Sequence, residues 1–293
     1  MGWLKKLTLV FLIVIILALG IVGYIGYSLT QGYTITAFLV LQEGGVYVDS
    51  GGGWSPAHDG MELSENDKVK TENAAADVVL YESVIVSLDP NTEITISDLA
   101  EDHPKVDLNY GSIWNKFTGL VGVSNYDVQT PTTVATVRGT EFGTSFIDGI
   151  TEVIVGEGSV TVTSEGQSTD VEIYQRLKKA PDMPFEIEQL SPEEVAALKQ
   201  RKERVLVVLK RVRLEEIDKN DHALKIAGSY GASREDIVKN LHKVDSGEVD
   251  DRELANKITG MSPVKIASVD KLLAIDDEIK QQINDIKELE YSK

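Results

Sequence analysis

The sequence predicts a mainly-β protein with an N-terminal transmembrane helix and a C-terminal helical bundle. Three observations predict it. Leu7 to Leu29 carries no charge over a length that suits a membrane span. From Tyr33 onward, short alternating apolar runs recur at intervals of about 8–12 residues, separated by Gly, Pro, Asn and Asp. From Ser191 the apolar residues recur at helical spacing. The expected division is 1–29 for a cytoplasmic start and anchor, 33–175 for a β domain, 176–190 for a linker and 191–293 for a helical domain.

Leu7 to Leu29 as a helix reaches ~34 Å, enough for a hydrocarbon core of about 30 Å. Trp3 at one end and Tyr24 and Tyr27 at the other suit the two interfaces. Lys5 and Lys6 precede the span, and no Lys or Arg follows before Lys68. That asymmetry predicts a single-pass protein of the cell membrane, with Met1 in the cytoplasm and the bulk outside. A cleaved signal peptide is the rival reading, with Ala18-Leu19-Gly20 as its site. The apolar run exceeds the usual core of about 7–15 residues, which favours the anchor. Gly20, Gly23 and Gly26 could admit a second helix closely, or could be simply tolerated.

The β region runs as follows. Thr34 to Leu41 opens it, Glu43-Gly44-Gly45 turns, and Val46 and Val48 alternate. A glycine loop leads to Trp54, and a polar turn region from Gly60 to Asp67 precedes Val69. Asp77 to Tyr81 and Ser83 to Leu88 read as strands, followed by an Asp89-Pro90-Asn91 turn. Thr92 to Ile96 comes next, then an acidic loop to Pro104, then Val106 to Tyr110 and Gly111 to Trp114. Asp148-Gly149 has the chemistry of a tight hairpin. Val40-Leu-Gln-Glu-Gly-Gly-Val46-x-Val48 is faintly echoed by Val155-Gly-Glu-Gly-Ser-Val160-x-Val162. Val171 to Tyr174 is a further candidate strand, and Pro181 and Pro184 suggest a boundary between two folding units.

Between Tyr126 and Phe146 the alternation changes phase. Ala135 and Val137 fall on odd positions, Phe142 and Phe146 on even ones, so a residue of phase is lost near Gly139. A bulge or tight bend there is expected. Arg138 is the only Lys or Arg between Lys116 and Arg176. The expected role is a buried or half-buried clamp tying this bend to another strand, with Glu141, Asp127 or Asp107 as partner. An exposed ligand-binding Arg138 is the alternative.

Ser191-Pro192-Glu193-Glu194 is a helix start with a capping box, and its apolar stripe runs from Val195 to Ile217. Ser233 caps a second helix. Asp250 or Asp251 starts a third that Gly260 closes, and Ser268 to Leu289 is a fourth.

The net charge of −18 is uneven. Thr30 to Gln175 holds five basic and 23 acidic residues, whereas Arg176 to Lys293 holds 22 and 24. The β region therefore generates nearly all of the negative field. It disfavours nucleic acid and favours solubility or basic partners. The chain contains no Cys, so disulfides, thiolate metal sites and cysteine nucleophiles are excluded. His58, His103, His222 and His242 are isolated, with no zinc spacing. Asp218 to Ser229 fails as a calcium loop, with Ala223 where Gly is needed and Ser229 where a bidentate Glu is needed. Acidic residues such as Glu62, Glu65, Asp98 and Glu101 leave a calcium site or a paired-carboxylate glycosidase as weaker readings. No cofactor and no enzyme activity are expected.

Thr130-Pro131-x-x-Val134-Ala135-x-Val137-Arg138-Gly139-Thr140-x-Phe142 resembles the signature of the FecR domain family. The resemblance extends upstream through Gly60, Leu63, Asp67, Val69 and Thr71, and downstream through Glu157, Gly158, Val160 and Val162. It covers Tyr33 to Thr163 and implies a compact β-solenoid-like or rolled sheet. It brings no catalytic residues. Family members include envelope regulators that relay a signal from an outer-membrane receptor to a sigma factor. Here only Met1 to Lys6 precedes the span, too short for their cytoplasmic regulatory segment, and the helical tail does not resemble their receptor-contacting domain. The expected function is a membrane-anchored extracytoplasmic module binding a protein or surface polymer. A structural envelope scaffold and a polysaccharide-acting enzyme are the alternatives.

Overall fold

The computed structural model describes residues 37–41, 44–118, 120, 122–219, 233–250, 252 and 267–291, all within one unit, Ile35–Lys293. The expected membrane span, Leu7 to Leu29, lies outside these residues. So does most of the helix expected from Asp250 or Asp251 to Gly260. Among the described residues no helix is long and apolar enough to cross a membrane.

Among the described residues, sixteen strands build two mostly antiparallel layers that share one strand. Sheet A contains β1 (Ala37–Leu41), β5 (Ala76–Leu80), β6 (Val84–Leu88), β11 (Glu141–Ile147), β12 (Ile150–Glu157), β15 (Gln175–Lys179) and β16 (Glu186–Gln189). Sheet B contains β2 (Val46–Asp49), β3 (Ser55–Pro56), β4 (Lys68–Thr71), β7 (Glu93–Asp98), β9 (Tyr126–Gln129), β10 (Val134–Val137), β13 (Ser159–Ser164) and β14 (Gln167–Glu172). The shared strand is β8 (Lys105–Phe117). Its first half pairs with β7 and, in parallel, with β9; its second half pairs with β6 and β11.

The bend in β8 falls at Gly111, at φ +100. A Cβ there would lie 2.5 Å from Thr92 Oγ1 and 2.6 Å from Thr92 Cα. Only glycine fits both the backbone conformation and the close approach. The result is a rolled, two-layer sheet that does not close into a solenoid. The solenoid-like alternative is thereby corrected: with β8 in both layers, the strands face each other as a sandwich instead of stacking in successive turns.

The two layers bury a common core. Val69, Ile94, Ile96, Val106, Val128, Ala135, Val160 and Val162 come from sheet B. Leu39, Val78, Val84, Val86, Phe142, Val153 and Leu177 come from sheet A. The phase loss near Gly139 has the same origin. Residues 138–140 carry the chain from β10 in sheet B to β11 in sheet A, with Gly139 at φ +66. The faint echo marks two such crossings. β1 leads to β2 through Gly45 (φ +92), and β12 leads to β13 through Gly158 (φ +73), each from sheet A to sheet B.

The stretch expected as a linker, 176–190, instead carries most of β15 and all of β16. Their charged sequences QRLKK and EIEQ lack the alternation that marks a strand. Leu177 is the residue they contribute to the core between the layers.

Among the described residues three helices follow: α1 (Pro192–Lys219), α2 (Arg234–Asp245) and α3 (Ala267–Tyr291). The capping box at Ser191 forms as expected: Ser191 N–H donates to Glu194 (2.8 Å) and Glu194 N–H to Ser191 Oγ (3.3 Å). Ser233 and Asp236 form the box that starts α2. The pairs Lys199–Glu290, Arg213–Asp276 and Lys271–Glu216 show that α1 and α3 run antiparallel.

In place of a bundle with its own separate core, α1 and α3 cover the outer face of sheet A. Val205, Val208, Leu209, Val212, Ile275 and Ile279 form one core with Phe38, Val40, Val79, Ile85 and Trp114. This explains why β1, β5 and β6 do not alternate apolar with exposed polar residues: both of their faces are buried, Asp77 and Ser87 included.

Candidate functional site at the helix–sheet joint

The joint between sheet A and the helices contains a buried polar network. Glu141, the variable residue between Thr140 and Phe142 of the signature, is 0% exposed and points away from the core between the layers. Trp114 Nε1 donates to its Oε1 (2.8 Å), and Lys202 Nζ of α1 donates to its Oε2 (2.9 Å). Lys202, itself 2% exposed, also donates to Asp285 of α3 (2.9 Å). Lys116 of β8 donates to Glu157 (2.7 Å) and lies 3.7 Å from Glu278. Gln282 Nε2 donates to the Lys202 carbonyl (3.1 Å), and Gln281 donates to Glu157 (2.6 Å).

The glycines of β11 and β12 make room for this arrangement. A Cβ on Gly143 would lie 2.8 Å from the Trp114 ring, and one on Gly156 would lie 3.0 Å from it. The indole therefore lies across both strands with its N–H directed at Glu141. A cleft of about 210 Å3 opens beside it, lined by Trp114, Gly143, Ile154, Arg176, Leu198 and Arg201.

Burial disfavours the Lys116 and Lys202 ammonium groups, but the carboxylates outweigh it. Glu141 and Glu157 raise Lys116 above the ordinary lysine range, and Glu141 and Asp285 raise Lys202. Glu278 moves the opposite way to most paired carboxylates: burial, then Glu157 and Asp285, push its carboxyl up against the opposing pull of Lys116.

Further ion pairs tie the layers at other stations. Arg201 grips Asp89 with two nitrogens. Arg204 donates to Asp77 (2.9 Å) and to the Ala76 (2.6 Å) and Leu88 (3.1 Å) carbonyls. Arg211 reaches Asp59 (2.8 Å). Lys219 and Lys271 both reach Glu82. Glu82 and its neighbour Tyr81 form the tip of the β5–β6 turn, at φ +55 and +50, a conformation that costs a non-glycine residue about 1–2 kcal/mol. The Tyr81 hydroxyl donates to the Leu99 carbonyl, so both strained residues use their side chains to bind distant elements.

The residues singled out in sequence do not converge on this joint. Thr130 and Pro131 form the β9–β10 turn. The Thr130 hydroxyl meets those of Thr133 (3.0 Å) and Thr151 (2.7 Å), and its N–H donates to the Thr133 carbonyl (2.8 Å). Val137 and Phe142 are buried in the core between the layers. Thr140 is buried, and its carbonyl accepts from Phe117 N–H (2.9 Å). Gly158 packs against it, since a Cβ there would lie 2.8 Å from Thr140 Cγ2. Gly60, Asp67 and Thr71 lie apart from the corner. Gly60 turns at φ +73, Asp67 accepts from Ser64 N–H (2.8 Å), and the Thr71 hydroxyl donates to the Asp89 carbonyl (2.7 Å).

Arg138 is exposed and makes no ion pair with the described residues, so the clamp expectation is corrected. Its proposed partners are engaged elsewhere: Glu141 with Lys202, Asp127 with His103 (3.1 Å) and Thr136 (2.7 Å), and Asp107 with Ser97 (2.9 Å). The cation that buries itself against the signature strand is Lys202. Its signal was present in the sequence. Leu198, Lys202, Val205 and Leu209 fall on one helical stripe, which places a lysine on the apolar face of α1.

Among the described residues no group of three His, Cys, Asp or Glu side chains could hold a metal ion. Residues 67–161 match the family model described as FecR protein.

This stretch is similar to a FecR domain.

The domain begins at Asp67, runs through the signature corner and ends within β13, so α1 and α3 lie beyond it. No curated protein matches the chain. Two crystal structures, each described as a "putative anti-sigma factor" from Parabacteroides distasonis, resemble it at 15% identity, with TM-scores of 0.40 and 0.38. The matches cover 45% and 47% of this chain and 63% and 64% of theirs, less than two thirds of either protein.

Proposed function

We propose that the chain is a membrane-anchored, extracytoplasmic signalling module that binds a protein partner and performs no chemistry of its own. The FecR domain at 67–161 is the observation that carries this reading. The uncharged Leu7 to Leu29 segment, with Lys5 and Lys6 before it, supports the anchor and its orientation. The exposed Arg138 at the signature corner, set in an acidic β domain, is a candidate contact for a partner carboxylate.

The absence of Cys makes the reading directly testable. A single Gln167→Cys change, on an exposed position of β14, would be probed with a membrane-impermeant maleimide in cells whose inner membrane is accessible. Labelling without lysis, with the protein retained in the membrane after an alkaline wash, is the expected result. Labelling only after lysis would overturn the placement. A photo-crosslinking residue at position 138 is expected to trap one discrete protein. A chain that crosslinks to nothing there would remove Arg138 from the partner surface.

A further inference from the structure

The joint holds more carboxylates than cations. Glu141, Glu157, Glu278 and Asp285 converge on Lys116 and Lys202. With every group ionised, this partly desolvated cluster carries two uncompensated negative charges. Uncompensated buried charge is costly, and a carboxyl group relieves that cost by taking up a proton.

Two further observations locate that proton. Glu278 Oε2, which faces Lys116 Nζ at 3.7 Å, and Gln282 Oε1 are both buried acceptors without a hydrogen bond of ordinary length from the described residues. They lie one turn apart on the same face of α3, where side chains at i and i+4 are neighbours. Gln282 is 0% exposed, and its amide nitrogen is already committed to the Lys202 carbonyl, which leaves its oxygen facing no donor. A proton on Glu278 Oε2 would supply that donor.

We propose that Glu278 is a proton-operated latch: its neutral form, hydrogen-bonded to Gln282, holds α3 against sheet A, and its ionisation loosens that hold. The charged and polar groups of the cluster around Glu278 come from every packed element. They are Lys116 on β8, Glu141 on β11, Glu157 on β12, Lys202 on α1, and Gln281, Gln282 and Asp285 on α3 itself. Glu157 and Asp285 oppose its ionisation and Lys116 favours it; burial tips the balance toward the neutral form.

The sign follows from linkage. A carboxyl whose pKa is higher docked than undocked binds its proton more tightly when docked, so docking weakens as pH rises through that interval. The interval opens at the ordinary glutamate value of about 4.3 and extends upward. At the other end of α3, Glu216 and Glu82 share Lys271. Burial raises Glu216, while Lys219 and Lys271 together lower Glu82, so those two contributions oppose each other.

Hydrogen exchange of the full chain in detergent tests the latch. Protection of the α3 amides, corrected for intrinsic exchange, should fall with rising pH by up to about tenfold per pH unit across that interval. Glu278→Gln, which mimics the neutral acid, should keep high protection throughout. Protection independent of pH in the wild-type chain, or the same slope in Glu278→Gln, overturns the proposal. Gln282→Met serves if Glu278→Gln misfolds. It removes the acceptor and should move the transition to lower pH, and an unmoved transition overturns the proposal. Protection that rises when K+ replaces a bulky cation at constant ionic strength and pH would assign the excess charge to a bound cation, which also overturns it.

Discussion

Replacing Lys202 with methionine keeps the unbranched apolar stem of the side chain and deletes its charge. Glu141 then stays at 0% exposure without the cation that faces it at 2.9 Å. Removing one partner of a buried pair costs about 3–5 kcal/mol. Trp114 still donates to Glu141 at 2.8 Å, so a value near the lower end, about 3 kcal/mol, is expected. For a chain of this size that lowers Tm by roughly 6–12 °C. Urea denaturation followed by tryptophan fluorescence measures the change. The double variant Lys202→Met with Glu141→Gln should recover most of the loss, because the amide oxygen can still accept from Trp114 and position 141 no longer buries a charge. A Lys202→Met loss below about 0.5 kcal/mol would refute the view that this pair anchors α1 to the signature strand.

Arg138→Ala should leave stability within about 0.5 kcal/mol of the wild type by the same assay, since the side chain is exposed. Gly111→Ala should cost about 2–5 kcal/mol, because it combines backbone strain at φ +100 with a clash against Thr92; circular dichroism melts would detect it. Glu82→Gly should destabilise even though it relieves a positive φ, because Lys219 and Lys271 lose their shared carboxylate. The comparable change Asp148→Gly, at an exposed turn residue with φ +53, should be neutral or better. The Glu194 carboxyl is held down to about 2, chiefly by the Ser191 N–H and then by Arg176. Its contribution to the start of α1 should be full above the ordinary glutamate value of about 4.3 and be lost progressively as pH falls from there to about 2, while carbon NMR of the carboxyl group should show the depressed titration itself.

The strands were legible wherever one face meets the core and the other meets water, because alternation records that difference. Val46 and Val48, Ile94 and Ile96, and Val160 and Val162 all show it. Turn chemistry marked Asp148-Gly149, and phase loss marked the corner at Gly139. β15 and β16 were not legible, since a charged edge pair carries neither apolar alternation nor length. The docking of α1 was half visible. Phe38, Val40, Val79 and Ile85 put apolar side chains on the second faces of β1, β5 and β6, and the excess of acid in the β region favours basic partners. Nothing local says which acid meets which cation, because the partners of Glu141 and Asp77 lie 61 and 127 residues away. Arg138 was misread for the same reason. Its isolation in sequence suggested a need for a partner, whereas its position on a corner leaves it in water.

The strand that serves both layers also sets an order of events during synthesis. β2, β4 and β7 can pair among themselves as they emerge, and so can β1, β5 and β6. Neither set can be joined to the other until residues 105–117 are made. Sheet A also waits for β11 to occupy the other side of the C-terminal half of β8. A growing chain therefore holds apolar strands with open edges from β1 until β8 is made, the condition in which neighbouring nascent chains associate. The acid-rich composition of this stretch then acts before any native pair exists, as mutual repulsion between half-made copies. The cations that later neutralise those acids are encoded last, in α1 and α3, after the strands they cover have found one another.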